Sequence, residues 1–117
     1  MRIAGTRFTP VQIGIAVLTL LTAAIHIWLA EPLFILNGLG YLALWAALYL
    51  PITALVRYRG ALRWLFVGYI LVTTVGYFLL HPNGIWQTDA VGLATKMIEV
   101  MLLLLVVYDG MEGQAQA

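Results

Sequence analysis

Long apolar stretches separated by short polar connections dominate the pattern of the chain. Residues 8–30, 33–56 and 64–88 contain no formally charged residue, and residues 90–108 contain two, Lys96 and Glu99. A bilayer core about 30 Å thick is crossed by roughly 20 apolar residues in a helix. Residues 101–107 (Met-Leu-Leu-Leu-Leu-Val-Val) lack the alternation that a membrane β-barrel requires. The pattern therefore predicts four transmembrane helices, at about 10–30, 33–55, 62–80 and 89–108.

The connections indicate how these helices follow one another. Glu31 and Pro32 form a very short link, which favours an antiparallel hairpin of helices 1 and 2. A Pro-Asn-Gly sequence at 82–84 predicts a turn, and Pro51 predicts a kink or an early end of helix 2. We therefore expect an all-α integral membrane protein, folded as an up-down four-helix bundle. One domain would cover residues 1–110, and residues 111–117 would form a short polar tail.

Charge placement predicts the orientation in the membrane. Lys and Arg number six against five Asp and Glu, a net charge of +1. Five arginines lie before helix 1 or between helices 2 and 3: Arg2, Arg7, Arg57, Arg59 and Arg63. The two opposite connections carry Glu31 and Asp89 and no Lys or Arg. Because Lys and Arg concentrate on the cytoplasmic side, both termini are predicted to be cytoplasmic in a multi-pass protein of the plasma membrane.

Composition excludes several classes of protein. Hydrophobic residues make up 63% of the chain and charged residues 9%, with a mean hydropathy of +0.98. Soluble domains carry about 25% charged residues, so a soluble globular enzyme and a nucleic-acid binder are excluded. Since the chain has no cysteine, thiolate catalysis and cysteine metal sites are excluded as well.

Ionisable residues inside a predicted span are the strongest pointer to a site. Each Lys or Asp at membrane depth costs roughly 2.5–3.5 kcal/mol on insertion scales. Lys96 and Glu99 are three residues apart and so share a helix face. His26 and Asn37 reach a similar depth in helices 1 and 2. We expect these four residues to form a buried polar cluster in the outer half of the membrane. Glu99 would accept a proton or cation beside the counter-charge of Lys96, with His26 as a titratable neighbour and Asn37 as a hydrogen-bond donor.

Further polar residues would line this cluster. Helix 1 carries a stripe at helical spacing, consisting of Gln12, Thr19, Thr22 and His26. Helix 3 carries Thr73, Thr74 and Tyr77 in its outer half. Because polar faces meet at lowest cost in the bundle interior, we assign Thr22, Thr74 and Tyr77 as secondary lining.

Structural interpretations of the same residues stand beside this one. The Lys96–Glu99 pair can simply neutralise itself and pin helix 4 to its neighbours, as buried pairs often do. His26 can be a hydrogen-bonded interior residue. Asn37, followed by Gly38 and Gly40, is also typical of close helix packing with one interhelical hydrogen bond.

No motif of catalysis or metal binding occurs. The chain has no Gly-rich phosphate loop, no His-Glu-x-x-His pair and no nucleophile–base spacing, so we predict no catalytic residue, metal or cofactor. One cofactor alternative is a haem held between His26 and His81. Against it, His81 lies about 6 Å nearer the surface by helix rise, and Pro82 follows directly.

Three segments carry a resemblance: Asn37-Gly-Leu-Gly-Tyr41, Lys96-Met-Ile-Glu99 and Ile25-His26. They resemble a pattern of small uncharacterised four-span membrane proteins of bacteria and archaea, over most of the chain. In size and layout the chain is also similar to the DoxX-like four-span proteins, with no functional residue of that family matched. The resemblance implies the four-span topology and no activity.

Three function classes fit these observations. The first is a membrane protein whose polar cluster binds a small ligand or proton, or docks a partner membrane protein. The second is a structural or accessory subunit of a larger membrane complex. The third is a haem- or quinone-associated redox protein. The expected partners are the lipid bilayer and another membrane protein or a second copy of the chain, but no nucleic acid. We do not expect an enzyme.

Overall fold

Four long helices make up most of the protein. The computed structural model describes residues 8–80 and 90–115. Within these residues the chain forms α1 (Pro10–Trp28), α2 (Pro32–Tyr49), α3 (Arg59–Leu80) and α4 (Ala90–Ala115), and a short 3₁₀-helix (Thr53–Tyr58) precedes α3. No strand occurs in this part of the chain. All four α-helices are long and apolar enough to cross a membrane. The predicted all-α class and the four helices of membrane-spanning length and hydropathy are confirmed.

Local sequence sets the start of the first two helices. Thr9 caps α1 by a reciprocal pair of bonds: its Oγ1 accepts from the Gln12 backbone N–H, and Gln12 Oε1 accepts from the Thr9 N–H, both at 3.2 Å. A proline at the first position of each helix, Pro10 and Pro32, has the backbone angle that a helix requires. Between them, Ala30 takes a left-handed φ of 62°, which reverses the chain within a few residues.

Three helix bounds differ from the sequence prediction by three residues or more. α2 ends at Tyr49 rather than near residue 55, because Pro51 has no N–H to donate to the helix. α3 begins at Arg59 rather than near residue 62, directly after the 3₁₀-helix. α4 continues to Ala115, so residues 111–115 of the predicted tail are helical. That segment contains no proline, and Gly110 lowers helix stability by only about 1 kcal/mol.

Each helix packs antiparallel against the next, and α4 closes against α1. The packed interior holds large buried side chains from all four helices, among them Ile15, Tyr41, Leu48, Phe66, Ile70 and Leu102. Outward-facing positions are apolar as well and are exposed, as a lipid-facing surface requires. We call the end where α1 leads into α2 the α1–α2 end, and the opposite end the α2–α3 end. α2 and α3 are the least closely packed of the neighbouring pairs.

Candidate functional site

Glu99 stands at the centre of a polar cluster and is completely buried. Its Oε1 lies 2.5 Å from Lys96 Nζ. Its Oε2 accepts hydrogen bonds from one hydroxyl on each of the other three helices: Thr22 at 3.5 Å, Tyr41 at 2.5 Å and Thr73 at 3.4 Å. We call these five residues the Glu99 cluster. A carboxylate is thus held by four helices at once, which satisfies a charge that the interior would otherwise exclude.

Lys96 faces the same interior. Only 7% of Lys96 is exposed, whereas its neighbour Met97 is 67% exposed. Besides Glu99, the Lys96 ammonium donates to the backbone oxygen of Thr73 at 3.3 Å and lies 5.2 Å from the centre of the Tyr77 ring. These contacts fix the ammonium between α3 and α4 and away from lipid.

His26 touches the cluster through its neighbours rather than through Glu99 itself. Its Nδ1 lies 2.7 Å from the Thr22 backbone oxygen and 3.4 Å from the Thr22 hydroxyl. Since a carbonyl oxygen only accepts, Nδ1 carries a hydrogen, and a neutral ring keeps its lone pair on Nε2. The imidazole also packs beside the Tyr41 ring, with 5.9 Å between centres.

Asn37 lies outside the Glu99 cluster and pairs with Tyr69 instead. The Tyr69 hydroxyl donates towards both the backbone oxygen of Asn37 at 2.7 Å and its Oδ1 at 2.6 Å. The Tyr69 ring meets the Tyr41 ring edge to face at 5.0 Å. A Cβ atom at position 40 would overlap the Tyr69 hydroxyl, so Gly40 provides the space for this arrangement.

The predicted secondary lining is found in part. Thr22 bonds Glu99, and the Tyr77 ring lies beside Lys96. The Thr74 hydroxyl is buried and has no hydrogen-bond partner in the described part of the chain, and Thr73 is the residue that reaches Glu99.

Sequence reasoning did not assign Tyr41 or Tyr69 to the site. Tyr41 follows Asn37 by four residues, and this spacing places the two on one face of α2. That spacing was the available signal for Tyr41. Tyr69 stands among apolar residues of α3 and gave no comparable signal.

A cavity of about 950 Å³ adjoins the cluster at the α1–α2 end. Its walls come from the end of α1 and from α2, α3 and α4, and they are mostly apolar. Polar side chains also stand in the wall: His26, Asn37, Tyr69, Thr73, Tyr77, Thr95 and Lys96. Glu99 does not line the cavity, so the cavity meets the Glu99 cluster at Lys96 and Thr73.

A second ion pair lies towards the α2–α3 end. Arg63 Nη1 is 3.4 Å from Asp109 Oδ2, and it also donates to the Tyr49 hydroxyl at 3.1 Å and to the Val106 backbone oxygen at 3.0 Å. The Tyr49 hydroxyl donates to Asp109 at 3.1 Å. This Arg63 cluster therefore joins α2, α3 and α4.

In residues 8–80 and 90–115, no group of three or more His, Cys, Asp or Glu is placed to hold a metal ion. His81, the second histidine of the haem alternative, lies outside the described residues. The chain matches no protein-family model, and no curated protein or solved structure is significantly similar to it.

Proposed function

We propose that this small multi-pass membrane protein binds a small, largely apolar ligand in the cavity beside the Glu99 cluster. The observation that carries the proposal is a cavity of about 950 Å³ whose apolar walls end on a few polar side chains. Ligand sites in proteins typically combine a volume of roughly 300–1,000 Å³ with mainly apolar walls and few polar groups. His26, Asn37 and Lys96 would contact the polar end of the ligand.

Glu99 has a positioning role in this proposal. It neutralises Lys96 and holds the ammonium at the cavity wall, while the hydroxyls of Thr22, Tyr41 and Thr73 hold Glu99. Glu99 is also the candidate acceptor if a proton accompanies the ligand, because Lys96 and Thr73 connect it to the cavity.

The distribution of arginine supports an orientation for this site. With Arg57, Arg59 and Arg63 near the α2–α3 end, that end and both termini would face the cytoplasm of a plasma-membrane protein. The cavity would then open in the outer half of the bilayer.

A partner membrane protein or a second copy of the chain would bind on the exposed apolar faces. A stable stoichiometric partner after mild detergent extraction would favour the accessory-subunit alternative.

Filling the cavity tests the proposal directly. Gly76 lines the cavity, and a Cβ atom there would meet nothing within 4 Å. Gly68 on the same helix has equally open space but does not line the cavity. We expect Gly76→Leu to weaken ligand retention about tenfold, since overlap with a bound molecule costs about 1–3 kcal/mol. Gly68→Leu should retain the ligand as the unmodified chain does.

Native mass spectrometry provides the measurement. The three proteins are incubated with a panel of decyl compounds in the same detergent, and the bound fraction per chain is compared. Equal retention by the Gly76→Leu and Gly68→Leu variants, or no retention by any of the three proteins, would contradict the proposal.

A further inference from the structure

The cavity has a side that faces outward from the bundle. Leu36 and Leu39 of α2 and Val72 of α3 line it, yet they are 66%, 50% and 72% exposed. Residues that line a cavity and also face outward mark its opening. These three positions place one part of the opening between α2 and α3, the least closely packed pair of neighbouring helices. The exposed lining residues Leu29, Leu33 and Val91 extend the opening to the α1–α2 end.

The opening lies at a depth that lipid tails occupy. Leu36 and Leu39 are four and seven residues from the start of α2 at Pro32, which places them roughly 6–10 Å along a helix that rises about 1.5 Å per residue. Gly76 lines the cavity from α3, and a Cβ atom there would meet nothing within 4 Å. A hydrocarbon chain can therefore pass between α2 and α3 while its head lies inside the bundle.

The described residues of the polar wall, together with Glu99 behind them, carry no net charge. Lys96 is the sole charged residue among the described residues that line the cavity, and the Glu99 carboxylate already pairs with it at 2.5 Å. A ligand that brought its own charge would find no free counter-charge among the described residues of this wall, and an unpaired buried charge is costly. A neutral head avoids that cost.

Two groups in the wall remain free to bond a neutral oxygen-bearing head. Tyr69 engages the Asn37 side-chain amide through one heteroatom, so the other heteroatom has no partner within the described residues, whichever way the amide is oriented. His26 uses Nδ1 for Thr22 and keeps Nε2. His26 Nε2 accepts a hydrogen bond, and Asn37 Nδ2 donates one when Oδ1 faces Tyr69. A hydroxyl oxygen can therefore bond both groups, whereas a carbonyl oxygen can bond Asn37 alone.

We propose, on the basis of the proposed function, that the ligand is a membrane-dissolved molecule with a neutral carbonyl or hydroxyl head and a hydrocarbon tail, and that it enters sideways between α2 and α3. A prenylated quinone and an acylglycerol or fatty alcohol share this chemistry. A hydroxyl head bonds Asn37 and His26, a carbonyl head bonds Asn37, and in both cases the tail extends past Val72 into lipid.

A series of compounds with one tail and different heads tests the head. The probes are 2-decyl-1,4-benzoquinone, 1-decanol, decanoate and decylamine, each added to the purified chain and measured as bound fraction by native mass spectrometry. At least one neutral compound should bind ten or more times more tightly than decanoate and decylamine. Preference for the benzoquinone over decanol identifies a quinone-type head, and the reverse preference identifies a simple hydroxyl head. A charged compound that binds as tightly as the best neutral one overturns the neutral-head assignment.

The isosteric variant Asn37→Asp sharpens this test. It keeps an oxygen acceptor for Tyr69 and adds a negative charge to the cavity wall. Decylamine should then gain at least fivefold in relative affinity over the neutral compounds. An unchanged ranking would show that the head does not lie beside Asn37.

Spin labels test the entrance. The chain has no cysteine, so Val72→Cys and Leu79→Cys each accept one nitroxide label. Both positions are 72% exposed on α3, but Val72 lines the cavity and Leu79 does not. In nanodiscs, the compound that binds best should reduce label mobility at position 72 and leave position 79 unchanged. Binding without a change at position 72 overturns the lateral entrance alone, whereas the absence of binding by any compound overturns the proposed function itself.

Discussion

The two ion pairs in the described part of the protein differ in what they connect. Arg63 and Asp109 come from α3 and α4, and Tyr49 of α2 bonds both of them. Lys96 and Glu99 both belong to α4. The first pair tethers helices by its own attraction, while the second could exist on an isolated helix.

The surroundings of the two pairs differ as well, and here the Lys96–Glu99 pair is the one in contact with more helices and with the cavity. Three further helices aim hydroxyls at Glu99, and its partner Lys96 borders a cavity of about 950 Å³. Neither Arg63 nor Asp109 lines that cavity. A purely structural role explains the Arg63 cluster fully, because each bond in it joins helices. A purely structural role explains the Glu99 cluster less well, since polar side chains that line a cavity add little to packing. This contrast is why we place the ligand site at the α1–α2 end.

The largest expected effect comes from removing Glu99. Glu99→Leu leaves Lys96, which is 7% exposed, as an unpaired buried charge, so the free energy of unfolding should fall by about 3–5 kcal/mol. Denaturant titration in mild detergent micelles, followed by circular dichroism, measures the change. A loss below about 1 kcal/mol would show that Lys96 finds water or another partner and that the buried pair is not required.

The matched control removes both charges. The double variant Lys96→Met with Glu99→Leu should regain most of the lost stability, because buried pairs replaced by apolar residues are often neutral in effect. Its binding of the decyl compounds should still be weakened about tenfold, since the polar wall has lost Lys96. If the double variant folds and binds the decyl compounds as tightly as the unmodified chain, the Glu99 cluster has only a structural role.

Removing Asp109 should have a smaller effect. Arg63 is 22% exposed at its side chain and keeps its bonds to Tyr49 and to the Val106 backbone oxygen. We therefore expect Asp109→Leu to lower the free energy of unfolding by about 2 kcal/mol, between the values for surface and fully buried pairs. The same denaturant titration compares it with Glu99→Leu. Ligand binding should stay unchanged, and a weakened binding would mean that the two clusters are coupled.

The smallest expected changes in stability come from substituting the glycines beside the two clusters, Gly40 and Gly110. At Gly40 a methyl group would overlap the rigid Tyr69 phenol, whereas at Gly110 it would meet the flexible side chain of Arg63. Overpacking costs about 1–3 kcal/mol and the gain in helix propensity offsets about 1 kcal/mol, so Gly40→Ala should lose roughly 1 kcal/mol. Gly110→Ala should change the midpoint little, because Arg63 can shift. Equal denaturation midpoints for the two variants would contradict the assumption that the Tyr69 side chain is held rigidly beside Gly40.

The membrane-spanning helices were predictable because hydropathy depends only on residue type. The inward stripe of α1 was predictable too, since helical periodicity places Thr22 and His26 on the face that also carries Thr19, and all three are buried. The rotation of α3 about its axis could not be predicted from the sequence. Thr73 and Thr74 differ by about 100° around the helix, and only the packing of the helices decides that Thr73 faces Glu99.

Other parts of the two clusters depend on contacts that no single segment reveals. Tyr41 and Tyr69 count as largely apolar in a hydropathy profile, although their hydroxyls supply key bonds. In the sequence, Arg63 indicated only the orientation in the membrane, and Asp109 lies one residue beyond the predicted end of helix 4. Their pairing requires α3 and α4 to be brought together, which is a property of the assembled bundle.

The placement of Lys96 and Glu99 on one helix also has a consequence for biogenesis. When α4 leaves the translocation channel alone, its ammonium already has a carboxylate one turn away. We expect the segment to enter the lipid as a neutral dipole, before it docks on the helices already inserted. Arg63 has no such companion on α3 and must wait for Asp109, so the final docking of α4 completes the charge balance of the helix inserted before it.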